Sequence, residues 1–489
     1  MRRIIISTYA LAFFILSPPL FAKPKLIVFI IIDQMRADYF DRFSSQWEGG
    51  FKKFQNQGAF FKEAHHRHVP TETAPGHAVI STGRSPRQNG IIGNEWYDRN
   101  SKKVTPSVFD PIYKLSPENL KTPTLGDILK DQDPTTKVVS ISLKDRSALF
   151  MGGKKANLSI WFDRGRKKFE SSAYFAPLPS TIEEFNRELK QNEPALDGFS
   201  PTAGFEFSQS SKADFWLFKL ALFLLEKENL GKDSSTDILS VSFSTPDYIG
   251  HRFGPDSEEI KREYQSLDLT LQDLIDEVSR QIGEDQILWV LTADHGVLPI
   301  PESKEGLKMG AKRIFAKNLT QDFEARLKKV FPAIKGKIIS QCLIPDVYLE
   351  PSIIPKRPHE RAFFFEKIYA TLIQNPDIAN IYIPGTSKKN SVTENFYFDQ
   401  SYYAGRSGDF LVQVKPGILV TDKKSGTSHG TVYNYDTHVP LIFMGKGIKP
   451  QIITQKVSTL DIVPTIASCL DLSFQSSEDS QSLLNLINK

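Results

Sequence analysis

Four runs of apolar residues that lack polar alternation do most to restrict what this chain can fold into. They are residues 25–32 (KLIVFIII), 137–142 (KVVSIS), 237–243 (DILSVSF) and 286–291 (QILWVL). A strand without alternation is buried on both faces, the situation of strands in a parallel sheet covered by helices. Between the last two runs, Ile260, Tyr264, Leu267, Leu271, Leu274, Val278 and Ile282 recur every three or four residues. That spacing predicts an amphipathic helix and one βαβ unit with a right-handed crossover. Residues 215–225 are the most apolar helical stretch, but they are few and include Lys219, so they read as a core helix and not as a membrane span.

Residues 297–404 follow another pattern, with a helix near 319–330, a strand over 337–349 and a helix near 359–373. This stretch reads as an α+β insertion. The core pattern resumes at residues 410–414 and 439–444 and closes with a helix over 459–470 that Ser458 caps. The expected fold class is therefore α/β, a mostly parallel central sheet flanked by helices. Residues 23–296 and 405–489 would build it, and residues 297–404 would be inserted.

Residues 1–22 belong to targeting and not to the fold. Arg2 and Arg3 precede a mostly apolar stretch over residues 4–16, Pro18-Pro19 breaks it, and Ala22 fits a cleavage point, which together predict a secretory signal. The apolar stretch is short for a membrane anchor, and no later span is expected. Lys+Arg exceed Asp+Glu by only four (61 against 57), and removal of Arg2 and Arg3 halves that excess. Spread along the chain, this charge excludes a nucleic-acid-binding protein held by a basic face. Cys342 and Cys469 match no metal-site spacing; export permits a disulfide between them, and two buried thiols are the alternative.

Acids and histidines recur just past the ends of the predicted strands, where open parallel sheets place their sites. Asp33 follows the first run, Asp247 and His251 the third, Asp294 and His295 the fourth, and His429 lies in a later Gly-Thr-Ser-His-Gly segment. Three carboxylates and three imidazoles suffice for two metal sites of the zinc type. The segment Thr71-Glu72-Thr73-Ala74-Pro75-Gly76-His77 sets a hydroxyl, of Thr71 or Thr73, at a helix N-terminus with Pro75 in the first turn. A helix N-terminus favours both an alkoxide and a phosphate.

These motifs, with residues 31–36 (IIDQMR), 90–97 (GIIGNEWY), 245–251 (TPDYIGH), 292–296 (TADHG) and 426–430 (GTSHG) in this order, resemble the alkaline phosphatase superfamily. The similarity is to the branch of nucleotide pyrophosphatases/phosphodiesterases and PafA-like periplasmic alkaline phosphatases. The resemblance implies two zinc ions, one on Asp247, His251 and His429 and the other on Asp33, Asp294 and His295. It implies Thr73 as nucleophile and metal-bound alkoxide, forming a phosphothreonine, and Asn94 as a donor to a phosphoryl oxygen. Residues 142–146 (SLKDR) resemble the Lys-x-Arg pair that PafA-like monoesterases direct at phosphate, which implies that Lys144 and Arg146 stabilise the extra charge of a monoester. The implied substrates are small phosphate esters and the implied location is the periplasm.

A phosphodiesterase or nucleotide pyrophosphatase with the same metals is the nearest alternative, and a non-catalytic binding protein on the same fold the more distant one. The segment Thr73-Ala74-Pro75-Gly76-His77 argues against a sulfatase, since it lacks that family's oxidisable residue and its arginine. His65, His66 and His68 read as surface or loop histidines, His77 as structural, and Glu72 as a loop residue. His438 is a candidate for supporting a metal ligand.

Overall fold

Both faces of the central strands are covered, as their sequences require. The computed structural model describes residues 23–193, 203–385 and 394–488, so the expected signal at residues 1–22 lies outside the described residues. In the strand Leu26–Ile32, alternate residues Leu26, Val28, Ile30 and Ile32 enter one apolar layer, while Ile27, Phe29 and Ile31 enter the other. A ten-stranded sheet results. Its order is Gln451–Ile453, Ala59–His65, His438–Gly445, Ile287–Thr292, Leu26–Ile32, Asp237–Phe243, Val138–Ser142, Leu158–Asp163 and Lys168–Ser171, with Val457–Ser458 beside Ala59–His65. The pairings from Ile287–Thr292 through to Leu158–Asp163 are parallel, whereas His438–Gly445 runs antiparallel to both its neighbours.

The helix Glu258–Ile282 buries Ile260, Tyr264, Leu267, Leu271, Leu274 and Val278, the stripe that its spacing predicts. Its start is fixed by Ser257, whose hydroxyl accepts from the Ile260 N–H. It packs against the helices Ser211–Lys227 and Gly50–Gln57 on one face of the sheet.

Under that layer lies a buried acid pair. Asp214 and Glu263 are hydrogen-bonded side chain to side chain, and Asp214 accepts from the Thr245 hydroxyl at the start of the helix Thr245–Phe253. Burial raises both carboxyls, Asp214 to about 7 and Glu263 well above its usual value, so they share protons near neutrality. The folded protein then binds more protons than the unfolded chain above about pH 4, and stability falls as pH rises through the folded values. Glu263→Gln keeps a hydrogen bond to Asp214 and removes one charge. It is expected to stabilise the protein by about 2 kcal/mol at pH 9, with little change at pH 5. Melting curves of both proteins at the two pH values check this; an equal effect at both would overturn it.

The region after residue 297 departs from expectation in two places. The strand expected over residues 337–349 is a hairpin, Ile339–Leu343 and Asp346–Leu349, interrupted by Pro345, which has no N–H for a ladder. Phe410–Val414, expected to resume the core, instead pairs with Asp346–Leu349 and Ile378–Tyr382 in a separate four-stranded antiparallel sheet. That sheet has its own apolar cluster, including Phe323, Phe364, Ile368, Val347 and Phe410. Lys312–Ile314 and Ile418–Val420 pair beside it, and we propose that the inserted unit runs from about residue 304 to 420. Cys342 and Cys469 are both free thiols, which burial pushes up to about 11.

Candidate active site

The carboxyl ends of four adjacent parallel strands meet at one edge of the sheet. Leu26–Ile32 delivers Asp33, Asp237–Phe243 leads into the helix carrying Asp247 and His251, Ile287–Thr292 delivers Asp294 and His295, and Val138–Ser142 delivers Lys144 and Arg146. His429 reaches the same edge from a loop. Asp247, His251 and His429 form one group of potential ligands, and Asp33, Asp294 and His295 form another.

Each imidazole is oriented through its far nitrogen. Nδ1 of His251 bonds the Thr427 carbonyl at 2.8 Å, Nδ1 of His295 the Gly296 carbonyl at 2.9 Å, and Nδ1 of His429 the Thr71 carbonyl at 2.7 Å. A ring that donates from Nδ1 presents a bare Nε2, the form that ligates a metal. Those Nε2 atoms lie 3.2 and 3.8 Å from Asp247 Oδ1 for His251 and His429. His295 Nε2 lies 3.5 Å from Asp33 Oδ1 and 3.6 Å from Asp294 Oδ2. Two ligands of a tetrahedral zinc ion, each about 2.0–2.1 Å from it, stand roughly 3.4 Å apart, so the donors fit such ions. Asp33 Oδ1 and His295 Nε2 are also buried without a hydrogen-bond partner among the described residues, as ligand atoms are.

The charge balance agrees with that fit. Three buried carboxylates, Asp33, Asp247 and Asp294, face a single ammonium, Lys144 Nζ, which lies 2.6 Å from Asp33 Oδ2 and 2.6 Å from Asp247 Oδ2. Burial, then repulsion from Asp247 and Asp294, raises Asp33 well above the usual carboxylate range. Burial alone would lower Lys144, but Asp247 and Asp33 outweigh it and raise it.

Thr73 is buried at the first position of the helix Thr73–Thr82, and Lys144 Nζ stands 3.4 Å from its Oγ1. The Thr71 hydroxyl instead donates to the Thr431 carbonyl. Of the two threonines left open by the sequence, only Thr73 therefore faces the carboxylate cluster. The helix approaches closely because residue 76 is glycine: a Cβ there would lie 2.3 Å from the Asp294 carbonyl oxygen. His77, one turn on, bonds the Thr73 carbonyl and Ser242 Oγ and lies 3.3 Å from Asp294 Oδ2, the structural part expected of it. Arg146, in the first turn of Asp145–Gly152, has a buried Nε with no hydrogen-bond partner among the described residues.

Two supporting residues escaped sequence reasoning. Glu72 is no idle loop residue: its Oε2 accepts from the Asn94 N–H at 2.7 Å, and Asn94 Oδ1 in turn accepts from the Ala74 N–H at 2.9 Å. The Asn94 amide nitrogen is thereby free to face another acceptor. Gln34, in the left-handed region at φ 70°, donates from Nε2 to Asp247 Oδ1 and from its backbone N–H to Asp294 Oδ1. It ties the two ligand groups together.

Of the histidines read as surface or loop residues, His66 and His68 do lie in the loop after Ala59–His65, but all three are buried. His66 bonds the Ala293 carbonyl and Thr459 Oγ1, and His68 packs edge-on against it. His65 is a strand residue stacked on His438. His438 donates to the Lys62 carbonyl and does not support a ligand of the central cluster.

The family model for type I phosphodiesterase / nucleotide pyrophosphatase matches residues 27–439, which contain both ligand groups and Thr73, Asn94, Lys144 and Arg146. The chain belongs to that family. It is 30% identical to alkaline phosphatase PafA of Elizabethkingia meningoseptica, covering 96% of this chain and 95% of that protein. It is also 30% identical to alkaline phosphatase PhoK of a Sphingomonas species, covering 92% and 89%. The crystal structure of PafA superimposes with a TM-score of 0.84 at 27% identity over 95% of this chain and 99% of that one. Family membership and superposition agree with the α/β reading of the core.

Proposed function

We propose that this enzyme, which acts on phosphate esters, is a phosphate monoester hydrolase using two zinc ions and a phosphothreonine intermediate. The observation that carries the reading is the placement of Lys144, in contact with Thr73 Oγ1 and with carboxylates of both ligand groups. Arg146, two residues on, adds a second cation. A monoester dianion carries one more charged oxygen than a diester, and cations beside the attacking oxygen stabilise it most as charge develops in the transition state. The residues that would hold the ions are Asp247, His251 and His429 for one, and Asp33, Asp294 and His295 for the other. Bound there, such ions lower the pKa of an oxygen nucleophile and neutralise charge on the leaving oxygen.

The chain's own part follows from its geometry. Thr73 Oγ1 attacks phosphorus in line, the bond to the leaving alcohol oxygen breaks, and that alcohol departs with a proton. Asn94, held by Glu72 and Ala74, donates from its amide to a phosphoryl oxygen while Lys144 and Arg146 neutralise the remainder. Water then attacks the phosphothreonine, releasing phosphate and restoring the hydroxyl. Residues 1–22 support export to the periplasm; among the described residues no helix is long and apolar enough to cross a membrane.

The family's description as phosphodiesterases favours one alternative, diester hydrolysis on the same side chains. The ratio of kcat/KM for an aryl phosphate monoester to that for the matching diester decides. A ratio well above one is expected. Lys144→Ala and Arg146→Ala should each lower monoester turnover by about 100-fold with a smaller loss on the diester. A ratio below one, or equal losses on both substrates, would replace the monoesterase reading with the diesterase one.

A further inference from the structure

At the same edge of the sheet, two strands away from Asp294, a separate group of side chains has the chemistry of a metal site. Glu63 and His65 are alternate residues of Ala59–His65, and His65 is the cross-strand partner of His438 at the start of His438–Gly445. Each of the three offers one potential ligand atom, and these atoms lie within 4.8 Å of one another. We propose that Glu63, His65 and His438 form a third cation site, outside the catalytic cluster, for a borderline divalent ion such as zinc.

The reasoning begins with the imidazoles. They stack at 4.5 Å between ring centroids with 14° between planes, which holds the two rings side by side. His438 Nε2 lies 2.6 Å from the Lys62 carbonyl and donates to it, which leaves Nδ1 as the bare ring atom. Nε2 of His65, the ring nitrogen on the Glu63 side, stands 3.4 Å from Glu63 Oε2. That separation is long for a charge-assisted hydrogen bond and equals the spacing of two ligands on one tetrahedral zinc. It also falls within the spread seen in the catalytic groups.

The Lys456 ammonium is near enough to act on the His65 ring. Lys456 opposes a cation, but the Glu63 carboxylate offsets it, and its half-exposed side chain opens the group to solvent. Two nitrogens and one carboxylate oxygen leave a coordination position for water. The occupant would fasten Ala59–His65 to His438–Gly445 and stabilise the sheet edge, since it binds only the folded chain.

The test is zinc titration of the full protein, already loaded at its catalytic cluster, followed by calorimetry and by metal analysis after dialysis. Wild type should bind one equivalent more than Glu63→Gln and His438→Gln, or each variant should bind that equivalent at least about tenfold more weakly. Added zinc should raise the melting temperature of wild type and not that of the variants. Glu63 is half exposed, so its variant is expected to fold, and aryl phosphate turnover should be unchanged in both. The comparison counts a difference of one equivalent whatever number the catalytic cluster holds. If wild type and both variants bind the same number of ions with equal affinity, the group is a simple histidine–carboxylate contact and the proposal is overturned.

Discussion

Thr73→Ala is expected to lower kcat/KM for an aryl phosphate by on the order of 10⁴-fold or more, with metal content unchanged and the melting temperature shifted little. The loss is large because the hydroxyl is the reacting group of the proposed mechanism and no other hydroxyl takes its place, that of Thr71 being held by the Thr431 carbonyl. The fold is spared because the helix Thr73–Thr82 is begun by the extended backbone of Glu72 and not by the threonine side chain, so the variant loses one hydroxyl and one methyl, about 1 kcal/mol or less. Thr73→Ser restores a hydroxyl at the same position and should recover most of the rate. Acid quenching during turnover of a phosphorus-labelled substrate should trap label on wild type and none on Thr73→Ala. Turnover by Thr73→Ala within tenfold of wild type would remove Thr73 from the nucleophile's role.

Much of this centre was legible because the fold expresses it locally. A strand buried on both faces, such as Leu26–Ile32, is apolar at every position, and the next polar residue falls at the sheet's carboxyl edge. Asp33, Asp247, Asp294 and His295 are therefore marked by position as well as by type. The choice between Thr71 and Thr73 was not marked in that way. It depends on the Thr431 carbonyl and the Lys144 ammonium, which stand 360 and 71 residues away in sequence.

The parts that were not legible share that dependence on distant partners. FLVQV at residues 410–414 reads as a buried strand in either sheet, and only its pairing with Asp346–Leu349 and Ile378–Tyr382 assigns it to the second one. Gln34 and Glu72 look like ordinary polar residues beside motifs. Their roles arise from Asp247 and Asp294, more than 200 positions away from Gln34, and from Asn94, 22 positions away from Glu72. The burial of His65 and His66 depends on His438 and Thr459 from far along the chain, a non-local effect that polarity in the sequence argues against.

Removal of divalent ions is expected to abolish turnover and also to weaken the fold, and the second effect follows from the charges alone. With Lys144 bridging only Asp33 and Asp247 and Arg146 the further cation nearby, Asp33, Asp247 and Asp294 stand buried together, and their repulsion opposes folding. An ion that binds only the folded chain reverses this, by about 4 kcal/mol per site at a thousandfold excess over its dissociation constant. Dialysis against a strong chelator should therefore lower the melting temperature by several degrees, reduce aryl phosphate turnover at least about 10³-fold, and be reversed by zinc. His429→Ala separates the two ligand groups: it removes one donor from the Asp247 group and none from the Asp33 group. It should release one equivalent, retain the other, and show a smaller thermal loss than full chelation. A chelated protein that melts at the temperature of the loaded one would mean that the three carboxylates are stabilised by the chain itself, with Lys144 and Arg146 as sufficient counter-charge, and the metal reading of both groups would fall.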